Sequence, residues 1–151
     1  MPYDSTEDTL KHIKRVSELL TNASIELINR ANVHDDSKLQ SPEKELFDEY
    51  TPKLTGCTYG SDEYYKYLVE LKVALEHHYA HNSHHPEYHE KGIDGMDLFD
   101  LIEMFMDWKA ASERHEDGDI MKSIEINKDR FNISNQICNI FKNTVNNGRF
   151  N

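Results

Sequence analysis

Cysteine is almost absent from this chain: Cys57 and Cys138 stand alone and far apart. Two such residues make neither a disulfide framework nor a thiolate zinc site, and they are expected to be reduced spectators. Long hydrophobic runs are also missing, since no stretch approaches the roughly eighteen apolar residues that span a bilayer. Met1-Pro2-Tyr3-Asp4 has neither the basic nor the apolar region of a secretory leader. A cytoplasmic protein without a membrane partner is the expectation. Positive charge is scarce, with 17 Lys and Arg against 28 Asp and Glu and a formal net charge of -11. Long nucleic acid is thereby disfavoured, because gripping its phosphates depends on Lys and Arg displacing counterions. Nothing in the chain reads as a strand of period two, an internal repeat or a low-complexity segment.

What is present is helical periodicity over the length of one ordinary domain, 151 residues. Leu10, Ile13, Val16, Leu20, Ala23 and Leu27 recur at helical spacing and predict a first helix to about Ala31, with Thr21-Asn22 as the point where it can break. Ser41-Pro42 starts a short second element over Glu43 to Tyr50, and Thr51 to Gly60, holding Pro52 and two glycines, reads as a loop. The stripe Tyr64, Leu68, Leu71, Leu75 and His78 predicts a helix opening at Ser61-Asp62-Glu63, with His78 pointing where the core residues point. Asn82 to Gly95 is a connecting segment. Helices are then expected over Met96 to Ser112, over Ile120 to Lys128, and from a cap at Ser134 through Val145. The expectation is an all-α fold: one domain over residues 1–151, a compact bundle of about six helices.

Nine histidines are more informative than the average composition, and six of them, His77, His78, His81, His84, His85 and His89, fall within thirteen consecutive residues. His78, His84 and His85 are the expected ligands or ligand supports, while His77, His81 and His89 are expected at the surface. Asn82 and Glu87 are placed to orient imidazoles through their second nitrogens. A second signal comes from Met96 to Ser112, whose apolar residues leave almost no polar face. Asp100, Glu103 and Asp107 line up along it within about 60° of one another. Like charges at that spacing repel, so the stripe must meet water, bases or metal. Asp107, beside Trp108, is the favoured ligand of the three. A third signal is His34-Asp35-Asp36-Ser37-Lys38, where an adjacent imidazole and carboxylate end the first helical region. Imidazole and carboxylate without thiolate suit one or two divalent ions of manganese, iron, cobalt, nickel or zinc.

The order His12, His34-Asp35, His78 with His84-His85, then Asp107 resembles that of the HD-domain superfamily of metal-dependent phosphohydrolases, which are helical. Within it, His34-Asp35-Asp36-Ser37-Lys38 resembles the His-Asp-x-Gly-Lys signature of the cyclic-dinucleotide phosphodiesterase branch, with Ser37 in place of glycine. That branch's Gly-Tyr-Pro element has no counterpart here, so its substrate is not carried over. A closer likeness, over most of the chain, is to small uncharacterised phage and bacterial proteins that share His-Asp-x-Ser-Lys, Asn-x-His-His-Pro-Glu and Asp-Trp-Lys-Ala.

The superfamily resemblance implies that His12, His34, Asp35 and Asp107 hold one metal, and that His78, His84 and His85 supply a second sharing Asp35. It implies a metal-activated water as nucleophile and a small phosphorylated substrate, a nucleotide among the candidates. Asp35 and Lys38 are then the catalytic candidates, with Lys38, Asn82 and Arg114 facing substrate. Lys128 and Arg130 are weaker phosphate candidates, and Tyr59, Tyr64, Tyr65 and Tyr67 are candidates to stack on a base. The alternatives are a module that retains metal or nucleotide without turnover and a helical protein-interaction domain. Homo-oligomerisation is left open by the sequence.

Overall fold

The computed structural model describes residues 3–56, 61–114, 118–148 and 150. Cys57, Tyr59 and His115 lie outside them. The fold is all-helical: α1 (Thr6–Val33), α2 (Glu43–Gly56), α3 (Asp62–His81), α4 (Leu98–Ser112), α5 (Ile120–Phe131) and α6 (Asn135–Asn146), with short 3-10 turns at Asp36–Leu39, Pro86–Tyr88 and Gly92–Gly95. Among the described residues there is no strand, and no helix is long and apolar enough to cross a membrane. The chain divides into two units, Met1–His34 and Asp35–Asn151.

The first unit is the single helix α1. It runs without the break allowed for at Thr21-Asn22, and Thr21 and Ser24 turn their hydroxyls back onto the carbonyls of Ser17 and Leu20. Hydroxyls spent in that way satisfy acceptors inside the helix and do not cap a new one.

In the second unit, α2 is longer than the periodicity predicts. It continues through Thr51 and Pro52 to Gly56, over residues expected in a loop. Packing outweighs the proline: α2 lies along α3, the Tyr50 and Tyr67 rings meet at 5.9 Å, and the Lys53 ammonium sits over both. Tyr67 is thus part of helix packing, with its hydroxyl donating to Glu63, and not a platform for a base.

Ser61, Asp97, Asp119 and Ser134 each accept a backbone N–H at the start of α3, α4, α5 and α6, which satisfies donors that a helix start leaves open. The apolar core joins Met104 and Phe105 of α4, Ile124 of α5, Ile133, and Cys138, Phe141 and Val145 of α6. The Phe105 and Phe141 rings stack at 4.4 Å. Ile124 is fully buried there, so Ile124→Ala is expected to cost about 2–5 kcal/mol, the usual range for truncating a large aliphatic side chain in a packed core. Urea unfolding followed by circular dichroism measures it.

Candidate metal centre

Asp35 opens the second unit in the left-handed backbone conformation, φ 58°, which aspartate tolerates better than most side chains. A 3-10 turn follows at once, and Lys38 Nζ reaches back to donate to Asp35 Oδ2 at 2.6 Å. The sharp turn keeps the carboxylate and its cation together.

The other donors come from the end of α3 and the segment after it. His78 is on the buried face of α3, as its stripe predicts, and is 1 % exposed. His84 is buried and His85 half-buried on the segment that leaves the helix. His78 Nε2 lies 3.3 Å and His84 Nε2 3.4 Å from Asp35 Oδ1, and His78 Nε2 and His85 Nε2 are 2.9 Å apart. Each of Asp35, His78, His84 and His85 offers one ligand atom to a group spanning less than 4.8 Å.

These separations fit a metal. Ligand atoms about 2.0–2.1 Å from one ion stand about 2.8–3.0 Å from one another in an octahedral and about 3.3–3.4 Å in a tetrahedral arrangement. Three imidazoles and one carboxylate suit borderline divalent ions better than magnesium or calcium, which favour all-oxygen sets.

Two of the imidazoles are braced from behind. Glu43 opens α2, is fully buried, and collects three donors: His77 Nδ1 at 2.7 Å, His78 Nδ1 at 2.9 Å and Ser37 Oγ at 3.1 Å. Asn82 Nδ2 donates to Ser37 Oγ and to the His78 carbonyl, both at 2.8 Å. That amide ties the end of α3 to the turn carrying Asp35 and is not held out towards a substrate. On the far side, His84 Nδ1 faces Glu103 Oε1 at 3.2 Å.

The electrostatics follow from this crowding. Burial raises the Asp35 pKa, but His78, His84 and Lys38 outweigh it and hold the carboxyl far below its ordinary range. Burial lowers His84, yet Asp35 and Glu103 reverse the sign and bring it up to about 9. For His85, burial and the positive charge of neighbouring His84 act together and bring it down to about 3. Near neutral pH the cluster thus contains an ionised carboxylate, a neutral His85 with an available lone pair and a protonated His84. Burial also opposes ionisation of Glu43, where His77, Ser37 and His78 prevail and lower its pKa.

Several expectations need correction. His77 and His89, expected at the surface, are half-buried. His77 is held by Glu43, and His89 Nε2 donates to the Ser83 carbonyl at 2.8 Å beside Asp100. His81 is exposed. The acidic stripe of α4 is divided among three tasks. Asp100 is buried, completes the capping box with Asp97 and accepts from Ser83 Oγ at 2.7 Å. Glu103 supports His84, and Asp107 has a carboxylate oxygen within 4.8 Å of a His84 ring nitrogen.

His12 and His34 belong to the first unit, on α1 and at its C-terminal cap. Arg114 is exposed on the turn after α4. Arg130, a weaker phosphate candidate, donates to Glu87 at 3.0 Å and covers the Phe131 ring. Among the described residues, Glu87 is thus engaged by arginine. The residues that sequence reasoning missed are Glu43 and Ser37. A glutamate in the first turn of a helix is ordinary helix-dipole chemistry, so nothing marked Glu43 as buried, and Ser37 stood out only as a replacement for glycine.

Comparison with known proteins adds a family without an assigned activity. The model for the "Family of unknown function (DUF5662)" matches residues 1–147. No curated protein and no solved structure matches the chain.

Proposed function

Because the chain belongs to DUF5662, a family of unknown function, we propose its activity from the site itself: divalent-metal-dependent hydrolysis of a small phosphate ester, a nucleotide among the candidates. The observation that carries this reading is the convergence of Asp35, His78, His84 and His85 on one point. Such a cluster of like imidazoles is costly to a fold and is compensated when an ion shares their lone pairs. The order of residues around His34-Asp35, which resembles that of HD-domain phosphohydrolases, supports the same reaction class. A bound divalent ion would supply Lewis acidity, polarising a phosphoryl oxygen and making water a competent nucleophile near neutral pH.

The chain's own residues supply the rest. Asp35 contributes an anionic oxygen through Oδ1 while Oδ2 keeps Lys38 in place. An ammonium carries three donors, so Lys38 retains hydrogens for a phosphoryl oxygen while bonded to Asp35. Asp107, close to His84, gives the site a second carboxylate with which to hold an ion or accept a proton.

The test is phosphate release from mono-, di- and cyclic nucleotides by protein loaded in turn with manganese, iron, cobalt, nickel and zinc. Turnover of at least one substrate that is lost in Asp35→Asn is the expected result. Tight retention of a nucleotide without turnover would instead identify a sequestering module, and neither binding nor turnover would overturn the reading. In an active protein, Lys38→Ala is expected to lower kcat/KM by about tenfold or more, the scale of one lost charge-assisted hydrogen bond to phosphate. Metal content should stay unchanged, because Lys38 contributes no ligand atom.

A further inference from the structure

We propose that Glu43 and Glu103 are positioning residues for the metal centre, each fixing a histidine in the tautomer that carries its proton on Nδ1 and turns Nε2 towards Asp35. This inference rests on the metal-site reading and adds to it the residues that set ligand orientation. A carboxylate can only accept, so a ring nitrogen facing it donates unless an ion stands between them; with metal between Nε2 and Asp35, the proton each ring keeps is the one on Nδ1. His78 Nδ1 faces Glu43 Oε2 at 2.9 Å and His84 Nδ1 faces Glu103 Oε1 at 3.2 Å. In both rings the opposite nitrogen, Nε2, is the one within 3.4 Å of Asp35 Oδ1.

The two supports come from opposite sides: Glu43 from the first turn of α2 and Glu103 from the middle of α4. Glu43 has a consistent assignment of protons around it. His77, His78 and Ser37 all donate to it, and Ser37 Oγ accepts in turn from Asn82. An arrangement in which every hydrogen has an acceptor holds one tautomer rather than averaging between two. The residue pattern also shows why a fully buried glutamate is tolerated: three donors replace the water it loses.

Such supports orient a ligand imidazole and raise its basicity, and their loss typically weakens metal affinity about 10- to 100-fold. The first measurement uses unaltered protein. Long-range 15N spectra of the zinc-loaded chain are expected to show His78 and His84 carrying hydrogen on Nδ1, with metal on Nε2. Hydrogen on Nε2 of either ring would overturn the assignment for that residue.

The second measurement compares Glu43→Gln and Glu103→Gln with wild type by chelator competition and by the visible absorption of the cobalt-loaded protein. In each variant, corrected for the folded fraction by circular dichroism, affinity is expected to fall about 10- to 100-fold. The cobalt bands should shift as ligand basicity drops, a change that a purely structural role would not produce. Variants that bind within threefold of wild type with unchanged bands overturn the proposal even where the metal reading stands. Should Glu43→Gln not fold, the tautomer of His78 in wild type decides for Glu43. Wild type that takes up no metal would bring down the metal reading and this inference together, a result distinct from the others.

Discussion

Asp35→Asn is expected to weaken divalent-metal binding by more than about a hundredfold, beyond the loss typical of an outer support. The substitution is chosen because asparagine shares aspartate's tolerance of the left-handed backbone at position 35. The turn to Lys38 therefore survives while the anionic oxygen facing His78 and His84 is removed. His85→Ala is the companion. The His85 ring is neutral near pH 7 and sits among His78, His84 and Tyr79, so its loss removes a lone pair without leaving an uncompensated buried charge. Metal affinity should fall steeply, while the melting temperature of the metal-free protein should change far less than in Ile124→Ala. Isothermal titration and thermal melts of the same preparations read both quantities. If His85→Ala binds metal as wild type does, His85 is not a ligand and the donor set shrinks to Asp35, His78 and His84.

The stability of the metal-free protein should pass through a maximum near pH 6.5. On the alkaline side the controlling group is His84. Its folded pKa of about 9 lies above the unfolded value near 6.5, so its contribution is complete below pH 6.5 and is lost as pH rises to about 9. The shift corresponds to up to about 3 kcal/mol for this buried ring.

On the acid side the sign reverses. His85 has a folded pKa of about 3, below its unfolded value. The unfolded chain therefore binds the extra proton first, and stability falls as pH drops from about 6.5 towards 3. Asp35 and Glu43, both lowered in the fold, add to that loss below about pH 4, where their unfolded counterparts become protonated. Metal should remove the alkaline limb, because an ion on Nε2 takes the place of the His84 proton. Affinity should rise with pH up to about 9, by at most about tenfold per unit for one proton released. Urea unfolding across pH with and without zinc is the measurement. A metal-free stability that stays flat between pH 6.5 and 9 would contradict the assignment of a protonated His84.

The elements most legible in the sequence were those set by one strong local signal. His78 could be placed inward because Leu68, Leu71 and Leu75 share its stripe, and Leu71 and His78 are indeed buried. The acidic residues on the apolar α4 helix announced that something polar would meet them. What that something is depended on tertiary neighbours: Asp100 meets Ser83 and the helix cap, while Glu103 meets His84. Spacing along one helix cannot separate these cases, because all three carboxylates project within one narrow sector.

Pro52 misled for a similar reason. A proline inside a segment with two glycines argues for a loop, but the aromatic contact between Tyr50 and Tyr67 holds the helix through it. Glu43 and Ser37 were not legible at all. Their importance comes from two short elements meeting the end of α3, a long-range contact with no local pattern.

The most direct test is elemental analysis of untagged protein after equilibration with manganese, iron, cobalt, nickel and zinc and removal of loosely held ions. At least one divalent ion per chain should remain in wild type and be lost in Asp35→Asn and His84→Ala. A folded wild-type chain that retains none of the five, or one whose metal content is unchanged by both substitutions, would contradict a metal centre built on Asp35, His78, His84 and His85.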